Sequence, residues 1–200
     1  MKRTMTPSSI TAGQIGKFQE LFGAGLRKSN FMCEPTQHVL ETQGDVLIAE
    51  LVTAVRKYVE AASNIIVRHV KIDRRSLPQQ VIDASGRVQC TDQSVVNTMP
   101  RGEGEEADVY FFKVGRYIGD LDLEKEYELR GFKPDPLAQA QVNINDSAFA
   151  DGHPNGTHWQ DGDGKWCFAS FFRSIGERLV DVDRRGGGWG DRWWFGGVRK

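Results

Sequence analysis

The sequence predicts an α+β protein with an N-terminal helical subdomain, a small α/β middle region and a C-terminal four-stranded antiparallel sheet. Three observations support this fold class. Apolar residues in the first third recur every three or four positions, as they do along one face of a helix. The middle of the chain alternates β-branched segments with helical ones. All five tryptophans and 11 of the 22 glycines lie between Gly152 and the C-terminus, in short segments separated by turn residues that are typical of β hairpins.

These changes of pattern set the expected boundaries. We expect a flexible tail over 1–13, a helical subdomain over 14–63, an α/β region over 64–150 and a Trp- and Gly-rich antiparallel β region over 151–200. The tail contains Thr, Pro and Ser with no apolar run behind its basic residues, so we do not expect a secretory signal.

The composition is that of a folded protein, with 39% hydrophobic and 26% charged residues. No stretch approaches the ~18 consecutive apolar residues of a membrane helix, so no membrane partner is expected. Cys33, Cys90 and Cys167 are odd in number and far apart, which disfavours a disulfide framework or zinc knuckle and favours a reduced, cytoplasmic location.

Residues 76–152 carry 7 Lys and Arg against 14 Asp and Glu. Nucleic-acid-binding domains are usually strongly basic, so the charge disfavours that class.

The first third is predicted to form three helices. Pro35 suits the first turn of the second helix, which ends near Gln43 with Gly44 after its last residue. Asp45 then caps a third and longer helix. The apolar stripes are Ile15, Phe18, Leu21, Phe22 and Leu26 in the first helix, and Leu47, Leu51, Val55, Tyr58 and Ala62 in the third.

The middle region is predicted to contain two strands and four short helices. The best delimited helix is followed by Gly131, which suits a left-handed C-terminal cap and would place Phe132 against Tyr127. The predicted strands span 65–73 and 108–114, and the predicted helices span 78–84, 92–99, 121–130 and 135–143.

The last third is predicted to form a four-stranded antiparallel meander. Residues 161–164 (Asp-Gly-Asp-Gly) are typical of a tight hairpin with a loop of two or four residues. Either loop places Trp159 opposite Trp166 and His158 opposite Cys167. The predicted strands span 157–160, 165–172, 178–184 and 192–198.

Several long phrases of the sequence resemble an uncharacterised protein family that occurs in multiple related copies in candidate-phylum bacteria with small genomes. The resemblance covers about residues 65–200 and implies a cytoplasmic bacterial protein. It implies no activity, cofactor or catalytic residue. The phrases are DASGR (83–87), MPRGEGE (99–105), DLEKEYELRG (122–131), PNGTHW (154–159) and WWFGGVRK (193–200).

The predicted C-terminal strands carry large apolar residues on both faces, whereas a half-solvated sheet alternates apolar with polar residues. One face can pack on helices; the other is either covered by the rest of the chain or used for recognition. The favoured function is therefore a non-catalytic binding or interaction protein, whose unknown macromolecular partner is a protein rather than a nucleic acid. The candidate partner-binding residues are Trp189, Trp193, Arg184, Arg185 and Arg192.

Two alternatives stay open. A thiol-dependent hydrolase would use His158 and Cys167, which the predicted register makes neighbours. A weak nucleic-acid-binding protein would use Arg184, Arg185 and Arg192. The sequence predicts no catalytic set, no metal site and no cofactor, and an enzyme is the less favoured class.

Overall fold

The computed structural model describes residues 10–184 and 187–200. The chain divides into two compact units, Met1–Ala62 and Ser63–Lys200. None of the described helices is both long enough and apolar enough to cross a membrane.

The first unit contains two helices, α1 (Ala12–Lys28) and α2 (Cys33–Ala62). Thr11 caps α1 through a reciprocal pair of hydrogen bonds with Gln14. The predicted break at Gly44 is wrong, because α2 continues through this position. A glycine inside a helix costs only about 1 kcal/mol relative to alanine. Leu40 and Leu47, two turns apart, stay on the same side of the helix across it.

The second unit is built on one mixed, eight-stranded sheet. Along the sheet the strands run in the order β1-β3-β8-β5-β6-β7-β2, with β4 paired to β8 outside this path. Five helices accompany them. The strands are β1 (Ile65–Lys71), β2 (Val88–Thr91), β3 (Glu106–Lys113), β4 (Phe132–Pro134), β5 (Asn155–Gln160), β6 (Trp166–Ser174), β7 (Glu177–Arg184) and β8 (Trp194–Arg199), and the helices are α3 (Pro78–Ala84), α4 (Gln93–Val96), α5 (Asp120–Arg130), α6 (Pro136–Asn145) and α7 (Phe149–Gly152).

The α+β class is confirmed, but the predicted four-stranded antiparallel sheet is wrong in size and connectivity. Only β5, β6 and β7 form an antiparallel meander. The last strand, β8, lies between β3 and β5, antiparallel to the first and parallel to the second. The strand β2, which was not predicted, pairs in parallel with β7. Local patterns identify a segment as a strand, but they do not identify its neighbour in the sheet.

The predicted register of the β5–β6 hairpin is also wrong, by one residue. Gly164 has φ of +73° and the Asp161 N–H donates to the Lys165 carbonyl at 3.0 Å. This is a three-residue loop with a glycine bulge, not a loop of two or four residues. Trp159 therefore lies opposite Cys167, and His158 lies opposite Phe168.

Two hydrophobic cores lie on the two sides of the sheet. We call the side that carries Cys167, Ala169 and Phe171 the first face; helices α3, α4, α6 and α7 contribute to its core. The second face carries Trp166, Phe168, Ser170 and Phe172. Its core includes residues of α5 and is rich in aromatic side chains. The aromatic residues are Tyr110, Phe112, Tyr127, Phe132, Phe168, Trp189 and Phe195.

The predicted left-handed cap of α5 forms at Gly131, whereas the ring contacts of Phe132 are with Tyr110 and Phe112. Gly131 has φ of +67°, and its N–H donates to the carbonyls of Glu128 and Tyr127. Phe112 contacts the rings of both Tyr127 and Phe132 in the second-face core, with centroid separations of 5.0 and 6.1 Å. The cap thus directs the chain from α5 straight into β4 beneath the helix.

Candidate binding cleft on the second face of the sheet

A cleft of about 200 Å³ opens on the second face, beside β6. We call it the aromatic cleft. The alternation of strand side chains brings Trp166, Phe168, Ser170 and Phe172 to this side of β6, and Asp181 of β7 lies in register with Ser170. Residues of the range 187–193, before β8, form the other wall. The cleft is lined chiefly by Asp120, Trp166, Phe168, Ser170, Phe172, Asp181, Trp189, Arg192 and Trp193.

Trp189, one of the predicted binding residues, is part of the core beneath this wall. It is 7% exposed and makes edge-to-face contacts with Phe168 and Phe195. Its backbone forms two hydrogen bonds with Ile118, at 2.8 and 3.0 Å. A Cβ at Gly156 would lie 2.4 Å from the indole ring, so the sheet has no side chain where the ring rests. Trp189 is therefore a fixed wall of the cleft and not a free contact residue.

Trp193 keeps part of its surface exposed at the cleft. Its ring contacts Phe172 at 5.8 Å and Trp189 at 5.2 Å, both edge to face. The Arg192 guanidinium lies over the ring, 5.6 Å from its centroid. Trp194 instead packs against the first-face core, where it contacts His153. Alternation along an extended chain predicts that these adjacent tryptophans face opposite sides, and their packing against the two different cores confirms this.

A buried imidazole supports the floor of the cleft. His158 is 0% exposed and stacks between Tyr127 and Trp166, at centroid distances of 5.5 and 4.5 Å. Its Nδ1 lies 3.3 Å from an Asp120 carboxylate oxygen, and its Nε2 lies 3.3 Å from Glu124. The second contact does not have the geometry of a hydrogen bond, so it is an ion pair only when the imidazole is protonated.

The two carboxylates decide the charge of this imidazole. Burial lowers the pKa of His158, but its contacts with Asp120 and Glu124 raise it by more, so the net pKa is above 6.5. The same contact with His158 lowers the pKa of Glu124, against the opposing effect of burial. The Trp189 indole N–H also donates to Asp120, at 3.4 Å. Asp120 thus ties α5, β5 and the Trp189 segment together.

Beyond the cleft, towards β7 and β2, the second face is open to solvent. Val88, Cys90 and Asp183 are exposed, and Leu179 and Asp181 are half-buried. A second, more open depression joins Phe168 to an acidic group from β7 and the start of α4. That group is Asp92, Asp181 and Asp183.

The predicted arginines do not come together at the cleft. Arg184 pairs with Cys167 across the sheet and so lies on the first face, where its Nε donates to Asp161 at 2.8 Å. Its Nη1 donates to Ser94 at 3.3 Å. Arg192 lies at the cleft. Arg185 lies outside the described residues.

The thiol–imidazole pair proposed from the sequence does not form. The corrected register puts His158 and Cys167 on opposite faces of the sheet. The Cys167 thiol is 1% exposed and contacts Asp161 and the Lys165 carbonyl, at 3.9 and 3.7 Å. Burial and the nearby Asp161 carboxylate raise its pKa, so the thiol stays protonated at neutral pH.

Sequence reasoning missed two carboxylates of the site. Asp120 begins α5 and Asp181 lies in the middle of β7, and neither forms a recognisable motif. One sequence signal could have located Asp181. It is the alternation of residues in β7, in which Val180 and Val182 face the core. That alternation puts Asp181 on the opposite face, beside the aromatic side of β6.

Comparisons of the chain with protein-family models, with curated proteins and with solved structures give no match. The resemblance to a family of candidate-phylum bacteria therefore stays a prediction.

Proposed function

We propose that this protein is a non-catalytic binding protein that engages a segment of a partner protein through the aromatic cleft. One observation carries the proposal: Trp166, Phe172 and Trp193 keep part of their surface exposed around a concave site, next to an open stretch of sheet. Aromatic side chains at the edge of a concavity supply large contact area with little loss of side-chain entropy, and they dominate protein interfaces.

The charge of the site supports a protein partner over a nucleic acid. Asp120 and Asp181 line the cleft and Asp183 lies beside it, so phosphate groups would be repelled. Arg184 is held by Asp161 on the other face, which removes one of the three arginines on which the nucleic-acid hypothesis rested.

The buried groups support a binding role over the thiol hydrolase. That hypothesis rested on contact between His158 and Cys167, which the register excludes. A cytoplasmic location is part of the proposal, supported by three cysteines that are free thiols, two of them exposed.

Trp193→Ala tests the proposal. The full chain and the variant, each immobilised, are compared for capture of proteins from a bacterial lysate, and the captured bands are then titrated against both as purified proteins. We expect Trp193→Ala to weaken binding of the captured partner by about tenfold or more, as truncation of an aromatic anchor does.

Tyr58→Ala is the matched control, because Tyr58 is an exposed aromatic residue of the first unit. It should bind the partner as the wild type does. Thermal unfolding checks that both variants are folded. Equal binding by wild type, Trp193→Ala and Tyr58→Ala would overturn the proposal.

A further inference from the structure

The aromatic cleft combines two features that together recognise organic cations, and this inference rests on the binding function proposed above. The faces of aromatic rings carry negative electrostatic potential, which attracts ammonium and guanidinium groups within about 6 Å. Trp166, Phe172 and Trp193 present such rings, and Asp120 and Asp181 add carboxylates to the same cleft.

The protein already places a cation of its own against this surface. The guanidinium of Arg192 lies over the Trp193 ring at 5.6 Å from the centroid, and both residues line the cleft. The Arg192 side chain is exposed, and it enters no ion pair among the described residues 10–184 and 187–200. The exposed part of the Trp193 ring is thus already in contact with a guanidinium.

We propose that the aromatic cleft binds the arginine side chain of a partner segment, with the guanidinium over Trp193 and directed towards Asp181, and that the Arg192 guanidinium covers the Trp193 ring in the free protein. The partner's arginine displaces Arg192, which moves outward into solvent.

Arginine fits this site better than other side chains for three reasons. Its planar guanidinium stacks on an indole and still directs N–H donors sideways to a carboxylate. Its weaker hydration makes transfer into a partly apolar cleft less costly than for an ammonium group. Anionic side chains are excluded by Asp120, Asp181 and the adjacent Asp183.

A pair of short peptides tests the proposal directly. Acetyl-Gly-Arg-Gly-amide and the same peptide with citrulline are titrated into the full chain, and binding is followed by tryptophan fluorescence and by calorimetry. Citrulline has nearly the same shape as arginine but no charge. We expect the arginine peptide to bind at least about tenfold more tightly, a difference that salt reduces. Equal affinity for both peptides, or no binding of either, would overturn the proposal.

Three variants locate the contact. Asp181→Asn should weaken binding of the arginine peptide by about tenfold, since it removes the carboxylate but keeps the size of the side chain. Asp163→Asn, in the exposed β5–β6 loop, is the matched control and should leave the affinity unchanged. Arg192→Ala should tighten binding by about threefold, because it removes the internal competitor from Trp193. Unchanged affinity in both Asp181→Asn and Arg192→Ala would contradict this placement of the guanidinium.

The outcomes separate this inference from the proposed function. Loss of partner capture in Trp193→Ala together with equal binding of the two peptides would leave the binding function standing and refute the arginine ligand. Unchanged partner capture by Trp193→Ala together with equal binding of the two peptides would refute both.

Discussion

The two faces of the sheet differ in how completely they are closed, and alternate residues of β6 show the difference. On the first face, Cys167, Ala169 and Phe171 are each at most 1% exposed. On the second face, Trp166 and Phe172 stay partly exposed. Both faces are aromatic, so aromatic content alone does not distinguish a closed face from a partly open one.

The polar groups on the two faces mark the difference more clearly. On the first face, the Asn155 side chain is 0% exposed and accepts hydrogen bonds from Gln139 and Asn143, at 2.7 and 2.9 Å. A buried amide with internal partners belongs to a closed core. On the second face, Asp181 and Arg192 stand at an open cleft. The comparison teaches that rings alone do not distinguish the faces: Asn155 is enclosed on the first face, whereas Asp181 and Arg192 lie at a cleft on the second.

The largest expected effect comes from neighbouring residues on the two faces. Phe171→Ala should lower the free energy of unfolding by about 3–5 kcal/mol, because it leaves a cavity in the first-face core. Phe172→Ala should cost less than about 1.5 kcal/mol, since its ring is already part-exposed. Urea unfolding of the two variants measures both values. Similar costs at the two positions would contradict the difference between the faces.

Gly156→Ala should have the next largest effect. The new Cβ would collide with the Trp189 ring, and relief of such overpacking typically costs about 1–3 kcal/mol. Displacement of the ring should also shift tryptophan fluorescence to longer wavelength. Gly162→Ala is the matched control: a Cβ at Gly162 meets nothing within 4 Å, so this variant should change neither stability nor fluorescence. If Gly156→Ala changed neither the stability nor the fluorescence, Trp189 would not rest on the sheet.

The smallest expected effect on stability comes from the contact between His158, buried beneath the cleft, and Glu124. His158 has a pKa raised above 6.5, so its contribution to stability is complete below that pH and is lost as pH rises through the folded pKa. Glu124 has a pKa lowered below 4.5, so its contribution is present above that pH and is lost as pH falls through the folded pKa. The pair should therefore stabilise the fold most between these two limits.

Glu124→Gln tests this pair. Because Glu124 is 43% exposed, we expect a cost of no more than about 1 kcal/mol at neutral pH. The loss of stability between about pH 6 and about pH 9 should become smaller, though Asp120 still holds His158. Urea unfolding at both pH values gives the measurement. Glu128→Gln, on the same helix, should keep the wild-type pH dependence; an identical result for Glu124→Gln would exclude the coupling.

Much of the local structure followed from the sequence. The strand at 65–73 and the helices at 78–84 and 121–130 are present with small changes of boundary, because β-branched runs and helix caps act within a few residues. The opposite orientations of Trp193 and Trp194 followed in the same way, from the alternation of an extended chain.

The errors arose where a distant or single-residue effect decides the outcome. One bulge at Gly164 moved every pair of the β5–β6 hairpin and separated His158 from Cys167. Trp189 was predicted to be a partner-binding residue. It is buried because Gly156, more than thirty positions earlier, leaves space for its ring.

The sequence by itself determined most of the helices and strands, where the aromatic residues concentrate, and which residues share one face of a strand, since these depend on backbone geometry over short distances. Only the tertiary structure decided that β8 inserts between β3 and β5, that α5 covers one part of the second face, and that Asp181 meets the aromatic side of β6. Those arrangements depend on contacts between residues far apart in the chain, whose free energies are set by the packing of the whole sheet and not by any local pattern.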